Sequence, residues 1–450
     1  MHPSLPRGAG NGFAFAVCNT FPVTLLLGAP MVLYFKHLGA TATVLGILAA
    51  LPPLLSLLQL PAAHFIERVG YRTFMLRGWS ARTVFLFLMA AVPLLPSSVP
   101  AGSRAVLMLF LLFIFHTLRG ISMCGWLPWL SQWIPEEVRG RYLGREQVLN
   151  SFAMLTTSAI AAWWMGPGSG SFAYAGLFLL GSLGALASLV FLRRIPDVPV
   201  PPESRSAAAP PWRAILRHPP FFRLLLFNLV VLAAYAGSGV FWIPLLRDHH
   251  HVSDRYALNL VVLTSLIAAP CLLLFGRMAD RVGSRPLLAL SGASQGVHYL
   301  LWCALGARVL PLNNGVAFLL QATSALSVSL YGLANMRLLM GLVPAQGRSH
   351  FLALFTSLSA LASGIMPIVW GVMLDAIGAW TRSIGPWEWN RYSLLYGLLF
   401  LLVLVAQWLR TRLPEPRAMK TERFLHELFV RTPARLLGRV FHPRPESPEL

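Results

Sequence analysis

Apolar runs of about twenty residues recur about twelve times along this chain, broken only by short arginine- or proline-containing segments. A helix needs about 20 apolar residues to cross the hydrocarbon of a bilayer. Each run is continuously apolar rather than alternating, which specifies helices and not barrel strands. The predicted spans are Asn11–Phe35, Thr41–Ala63, Gly78–Leu95, Arg104–Gln132, Glu146–Met165 and Phe172–Leu192. After a polar interval come Phe221–Leu246, Asp254–Phe275, Pro286–Ala307, Asn313–Leu342, Ser349–Leu374 and Tyr392–Leu409. The first run is too long for the core of a cleaved signal peptide and is expected to stay as a span. Only 12% of the chain is charged, against about 25% in a soluble domain. A surface that apolar would aggregate in water. The four cysteines, Cys18, Cys124, Cys271 and Cys303, all fall in apolar runs without metal or redox spacing, and read as small hydrophobes.

The formal net charge of +20 would point to nucleic acid on a soluble domain. Its distribution says otherwise. Numbered from a cytoplasmic N-terminus, the inner loops hold Arg68, Arg72, Arg77, Arg139, Arg141 and Arg145. Arg193, Arg194, Arg205, Arg213 and Arg217 sit in the middle loop, and Arg277, Arg281, Arg285 and Arg348 in later ones. The outer loops carry only Lys36, Arg104, Arg247, Arg255, Arg308, Arg382 and Arg391. This positive-inside asymmetry places both termini in the cytoplasm of a multi-pass membrane protein. Arginine stands in for lysine except at Lys36 and Lys420, which suggests a GC-rich bacterial genome and hence a bacterial inner membrane. The tail from Arg410 interleaves arginines with Phe424, Leu428, Phe429 and Phe441; a surface helix on the inner leaflet, broken near Pro433, and a disordered basic tail both fit. The interval 196–220 is rich in proline and serine and reads as a linker, with Trp212 to Arg217 a candidate surface helix.

Two short loops recur. Glu67-Arg68-Val-Gly70-Tyr-Arg72 follows the second run, and Asp280-Arg281-Val-Gly283-Ser-Arg285 follows the eighth, 213 residues later. Pro135 to Arg139 and Pro344 to Arg348 form a second pair at a spacing of 209 residues. Matched loops at the same place in each half indicate duplication of a six-span unit. Tight turns at Gly70 and Gly283 are expected, because glycine takes positive φ freely.

The loop beginning at Gly276 resembles the signature of the major facilitator superfamily, and the likeness extends over roughly residues 11 to 411. The first copy departs from it, with Ala63 and Glu67 where Gly and Asp are usual. The resemblance implies an all-α integral membrane fold of about twelve transmembrane helices in two pseudo-symmetric six-helix bundles. It also implies a small-solute transporter working by alternating access around a midplane site. The bundles would be 1–195 and 221–411, with the linker 196–220 between them and the tail 412–450 in the cytoplasm. Glu67, Arg68, Gly70, Arg72, Gly276, Asp280, Arg281, Gly283 and Arg285, with Arg139 and Arg348, would then form a gate on the inner face; a purely topological role for the charges is the alternative.

Ionisable groups inside a membrane are costly and mark function. The acidic residues fall in loops, in the tail or at the ends of the predicted spans. Arg119 sits near the middle of the fourth, with His116 one turn away on the same face. Fourth spans line the central cavity in the family, so the resemblance implies an inward-facing Arg119. A buried cation needs a partner, and an anionic substrate group would supply one; backbone carbonyls and waters are the competing partners. Asn19, Asn228, Gln321, Tyr331 and Asn335 are further midspan candidates, each equally able to serve as a helix–helix hydrogen bond. His249 to His251 read as a solvated loop before a Ser253/Asp254 helix cap, and Trp126, Trp129 and Trp133 as an interfacial aromatic belt or a cavity wall. Lacking a nucleophile elbow, phosphate loop or metal cluster, the chain is not expected to be an enzyme or to hold a cofactor or metal. The expected state is a monomer, with a small-molecule substrate and the lipid bilayer as partners and no nucleic acid. A transporter of organic anions leads; an exporter of amphipathic drugs or lipids is the alternative.

Overall fold

The computed structural model describes residues 5–6, 8–166, 170–199, 215–343, 348–415, 419, 422 and 424. Ten helical segments are long and apolar enough to cross a membrane. Two further helices lie at the fifth and ninth span positions: Glu136–Trp164, of 29 residues, and Ser284–Gly306, of 23.

The first span is two helices, α1 (Ala9–Phe21) and α2 (Ala29–His37), joined through a widened turn at Pro22–Leu26. Pro22 and Pro30 each lack a donor and crowd the preceding turn, so a straight helix is not available here. The second span comprises α3 (Ala42–Ser56) and α4 (Gln59–Val69). Next come α5 (Tyr71–Ala91), α6 (Ala101–Met123), the short α7 (Trp126–Trp133), α8 (Glu136–Trp164) and α9 (Ser171–Leu192). The second half holds α10 (Pro219–Pro244), α11 (Asp254–Val282), α12 (Ser284–Gly306), α13 (Asn314–Leu342) and α14 (Arg348–Ile377). An antiparallel hairpin, β1 (Thr381–Ile384) and β2 (Trp387–Asn390), leads to α15 (Arg391–Thr411).

Four expected boundaries move by more than a turn: the second span ends at Val69 rather than Ala63, the eighth at Val282 rather than Phe275, and two starts move as well. The third span was expected from Gly78 and starts at Tyr71; the fifth was expected from Glu146 and starts at Glu136. The apolar run marks where a helix enters hydrocarbon, whereas the helix itself continues past it into charged turns.

Burial shows how the halves meet. One large core contains residues of both halves, among them Tyr34, Tyr174 and Phe178 with Phe241, Trp302 and Tyr396. Near the termini there are instead two separate cores. One holds Met75, Trp79, Trp129 and Leu192; the other holds Phe221, Leu287, Leu338 and Leu409. The halves are therefore fused at the face opposite the termini and individually packed at the terminal face.

Polar contacts between the halves cluster at that opposite face. Lys36 reaches Asp248 at 2.8 Å, and Asp248 also takes Arg391 at 3.6 Å and the Tyr392 hydroxyl at 3.2 Å. Arg255 donates to the Met165 and Trp163 carbonyls at 3.0 Å each. The carboxylate of Asp375, on α14, accepts from the backbone N–H groups of Ala42 and Thr43 at 3.0 and 2.7 Å, capping α3 across the seam. Below it the two helices pack backbone to backbone: a Cβ at Gly46 would meet the Pro367 carbonyl oxygen at 2.3 Å.

The signature turns behave as the sequence predicts. Gly70 and Gly283 have φ of +82° and +89° with extended ψ, a region essentially reserved for glycine. Gly283→Ala is expected to destabilise the protein by about 1–3 kcal/mol, read as a fall in melting temperature. Gly332→Ala, in the interior of α13 with open space around it, should leave melting unchanged or raise it.

Of the other residues expected at the gate, Arg68 is exposed, and the Arg72 guanidinium donates to the Arg193 carbonyl. Arg139 closes the C-terminus of α7, donating to Ser131 and Ile134 carbonyls at 2.8 and 3.2 Å. Glu67, Gly276, Asp280 and Arg281 lie in helical turns; the side chains of Glu67, Asp280, Arg281 and Arg348 lie outside the described part of the structure. The start of α12 is capped by a residue of the tail: Glu415 accepts from the Ser284 and Arg285 N–H groups at 2.9 and 2.8 Å. Leu413 and Phe424 join the second-half core, so the start of the tail packs on the bundle. The tail beyond 424 and the linker from 200 to 214 lie outside the described residues.

Candidate functional site

The first-half bundle holds an open cavity of about 330 Å³ between α1, α5, α8 and the α6–α7 junction. Its polar wall is Asn19, Thr20, Glu146, Gln147, Asn150 and Ser151; its aromatic wall is Phe15, Trp79 and Trp126.

Behind the aromatic wall lies a guanidinium that the sequence reading overlooked. Arg82 is only 3% exposed. Its Nη2 donates to Asn19 Oδ1 at 2.7 Å, and its guanidinium carbon lies 3.4 Å from the centre of the Trp79 ring. Cation–π contact and one amide oxygen thus replace the carboxylate that a buried arginine normally requires. Arg82 Nε makes no hydrogen bond.

Arg119 is half-buried on α6 and, among the described residues, makes no side-chain hydrogen bond or ion pair. It stands one turn before Met123, a wall residue, and within electrostatic reach of Arg82 and His116. His116 is buried, its ring edge against Phe115, and its Nδ1 is unpartnered. Neither Arg119 nor His116 lines the cavity itself.

Glu146 requires a correction to the sequence reading. Taken as the start of the fifth span, it was counted among residues at span ends. Because α8 begins ten residues earlier, Glu146 lies well inside the helix and on the cavity wall. It forms no ion pair with Arg82 or Arg119 among the described residues.

The second-half candidates bond to one another and to neighbouring hydroxyl groups, with Asn335 Oδ1 left without a partner among the described residues. Asn228 donates to Ser359 at 2.7 Å and accepts from Tyr331 and from Asn335, the latter at 3.0 Å. Gln321 accepts from Thr264 at 2.6 Å. These bonds join α10, α13, α14 and α11, and the neighbouring void, about 20 Å³, holds little more than a water. Asn19 alone of the five uncharged candidates faces the larger cavity.

The aromatic-belt reading does not hold for two of its three tryptophans. Trp129 is buried with its indole N–H on the Pro196 carbonyl at 3.0 Å, and Trp133 is buried beside Tyr142; only Trp126 is a cavity wall. Ser253 does cap α11, through Tyr256 N–H. His249 and His250, expected in solvent, are half-buried; the His250 ring lies 3.3 Å from the Leu305 carbonyl. Among the described residues no group of three or more His, Cys, Asp or Glu side chains could hold a metal.

The Major Facilitator Superfamily sequence model matches residues 12–330 and 259–445. The chain belongs to the major facilitator superfamily. Its members are membrane transporters rather than enzymes, so a secondary transporter is the general function of this chain. A mutant of the nucleoside transporter NupG superposes with a TM-score of 0.70 at 9% identity, covering 91% of this chain and all 100% of that one. The inward-open xylose transporter XylE from E. coli gives 0.65 at 14% identity over 92% and 97% of the two chains. A bacterial homologue of the human lysosomal transporter Spinster, inward-facing and unoccupied, gives 0.65 at 14% over 93% and 97%. Identities this low establish the shared fold alone. Comparison with curated proteins gives no match.

Proposed function

We propose that this transporter moves small organic anions by alternating access, with Arg82 and Arg119 as the groups that attract the negative charge. The observation that carries this reading is a pair of arginines beside the cavity, Arg82 behind its Trp79 wall and Arg119 one turn before Met123, neither paired with a carboxylate among the described residues. Cations that the protein leaves uncompensated within a membrane require an exchangeable counter-charge. Asn19, Asn150 and Ser151 offer neutral hydrogen-bonding groups to the rest of the solute. Asn228, Gln321, Tyr331 and Asn335 are placed to set the shape of the facing half.

In this reading the terminal face is the cytoplasmic one, which the arginine asymmetry supports. The joined core and the Lys36–Asp248 and Asp375 contacts then seal the outer side, and the described state faces inward. The signature loops lie on the inner side, where Arg68, Arg72, Arg139 and Arg285 would regroup when that side closes.

The test is ligand-induced thermal stabilisation of purified protein with a panel of organic anions, sugars, nucleosides and cationic drugs. Anions are expected to stabilise the wild type, and Arg119→Ala should weaken that effect by at least tenfold in apparent affinity, as for loss of one charge-assisted contact. Equal stabilisation of both proteins by neutral or cationic solutes would refute the reading.

A further inference from the structure

A second concavity, of about 270 Å³, lies between α8 and α11 where the two halves face each other. Its walls are Phe152, Leu155, Leu266, Ala269 and Leu272. Exposed apolar side chains on a membrane protein ordinarily face lipid and call for no partner. This crevice differs in its connection. Gln147 and Ser151, one turn apart on α8, line both it and the polar cavity. The two chambers therefore adjoin across a single polar edge of one helix, one lined by amides, a carboxylate and aromatic rings along with Val23 and Met154, the other by aliphatic groups and Phe152 with Ser265 as the polar group from α11.

A small polar solute would use only the first chamber. We infer that the transported anion is a single-chain amphiphile, its anionic head in the polar cavity near Arg82 and its alkyl chain in the crevice between α8 and α11. The inference rests on the anion reading above and adds the tail to it. The geometry also gives the chain a route, since Phe152 and Leu266, 64% and 50% exposed, open the crevice toward the surrounding bilayer. Fatty carboxylates and lysophospholipids share this chemistry of charged head and one chain.

Binding of n-alkyl phosphates from ethyl to dodecyl to the protein in nanodiscs tests it, with fatty carboxylates and single-chain lysophospholipids as parallel arms and alkyl glycosides of equal length as neutral controls. Affinity is expected to rise by about fourfold per added methylene until the crevice is filled, and the glycosides should not compete. Ala269→Trp, which fills the crevice, is expected to flatten the series; Leu266→Asn is a second variant should the first misfold, as judged by its ligand-free melting transition. If ethyl and dodecyl phosphate bind equally, the tail inference falls and the anion reading stands. If glycosides bind as well as phosphates, the anion reading falls with it. A chain-length effect that survives unchanged in both variants is partition into the nanodisc lipid and also overturns the inference.

Discussion

Arg82→Leu is expected to lower anion affinity by about 100-fold while leaving the ligand-free protein as stable as the wild type or more so. A buried guanidinium held by one amide oxygen and an indole ring is poorly compensated. Replacing such a charge by a hydrophobic group of similar volume is often neutral or stabilising by about 1–4 kcal/mol. The same charge is worth several kcal/mol to a desolvated anion, since truncating one partner of a buried charge pair costs about 2–5 kcal/mol. The two measurements together separate function from scaffolding. A structural arginine would lose stability on removal without a selective loss of binding. Arg82→Lys should recover only part of the affinity, because an ammonium cannot reproduce the planar stacking on Trp79 or the fixed fork of donors. Melting curves and anion titrations on the three proteins, with Asn19→Ala as a partner control, decide the matter.

The second large effect concerns the seal at the face opposite the termini. Asp375→Asn is expected to shift the conformational balance toward opening of that face by about tenfold. Both carboxylate oxygens accept backbone N–H groups at the start of α3. An amide has one acceptor oxygen, carries no charge for the helix N-terminus and would set its NH2 group against a second N–H. Loss of one charge-assisted bond and of the charge–dipole term is worth about 1–2 kcal/mol, or roughly a factor of 5–30. Lys36→Ala should act in the same direction, and more weakly, because Arg391 remains beside Asp248. Distances between spin labels on the opposite-face ends of α2 and α10 would report the shift. Label distances unchanged from wild type in Asp375→Asn would show that the shared apolar core holds the seal unaided. A transporter whose resting state moves this way should also lose transport rate, since both halves of the cycle must be traversed.

The residues bear on how far the sequence can be read. Local rules reached the spans, because burial in lipid demands a continuous apolar run whatever the neighbours do. They reached the signature turns, because Gly70 and Gly283 occupy a backbone region that other residues enter only with strain. The duplication and the family followed from the same two loops. Arg82 was legible and overlooked: it stands inside the predicted third span, one helical turn after Trp79, whereas Arg119 and His116 drew attention by sharing one face of the fourth. Glu146 was misplaced for a different reason. Hydropathy locates the edge of the hydrocarbon, and α8 runs beyond that edge by nearly three turns.

What the sequence by itself determined is a chain of apolar helices, doubled, with its arginines biased to one face. Each of those properties is local or additive along the chain. Only the tertiary structure decided that Asn19 meets Arg82, 63 positions away, and that Asn228, Tyr331 and Asn335 bind one another rather than face the large cavity. It also decided that Lys36 and Arg255, among the few cations at the sparsely charged face, bond from one half to the other, with Arg391 beside the Asp248 that Lys36 reaches. Those pairings depend on helix rotation and on which faces pack together. Close backbone approach at Gly46 and Gly371 and the cap at Asp375 fix that packing, and no window of the sequence contains both partners.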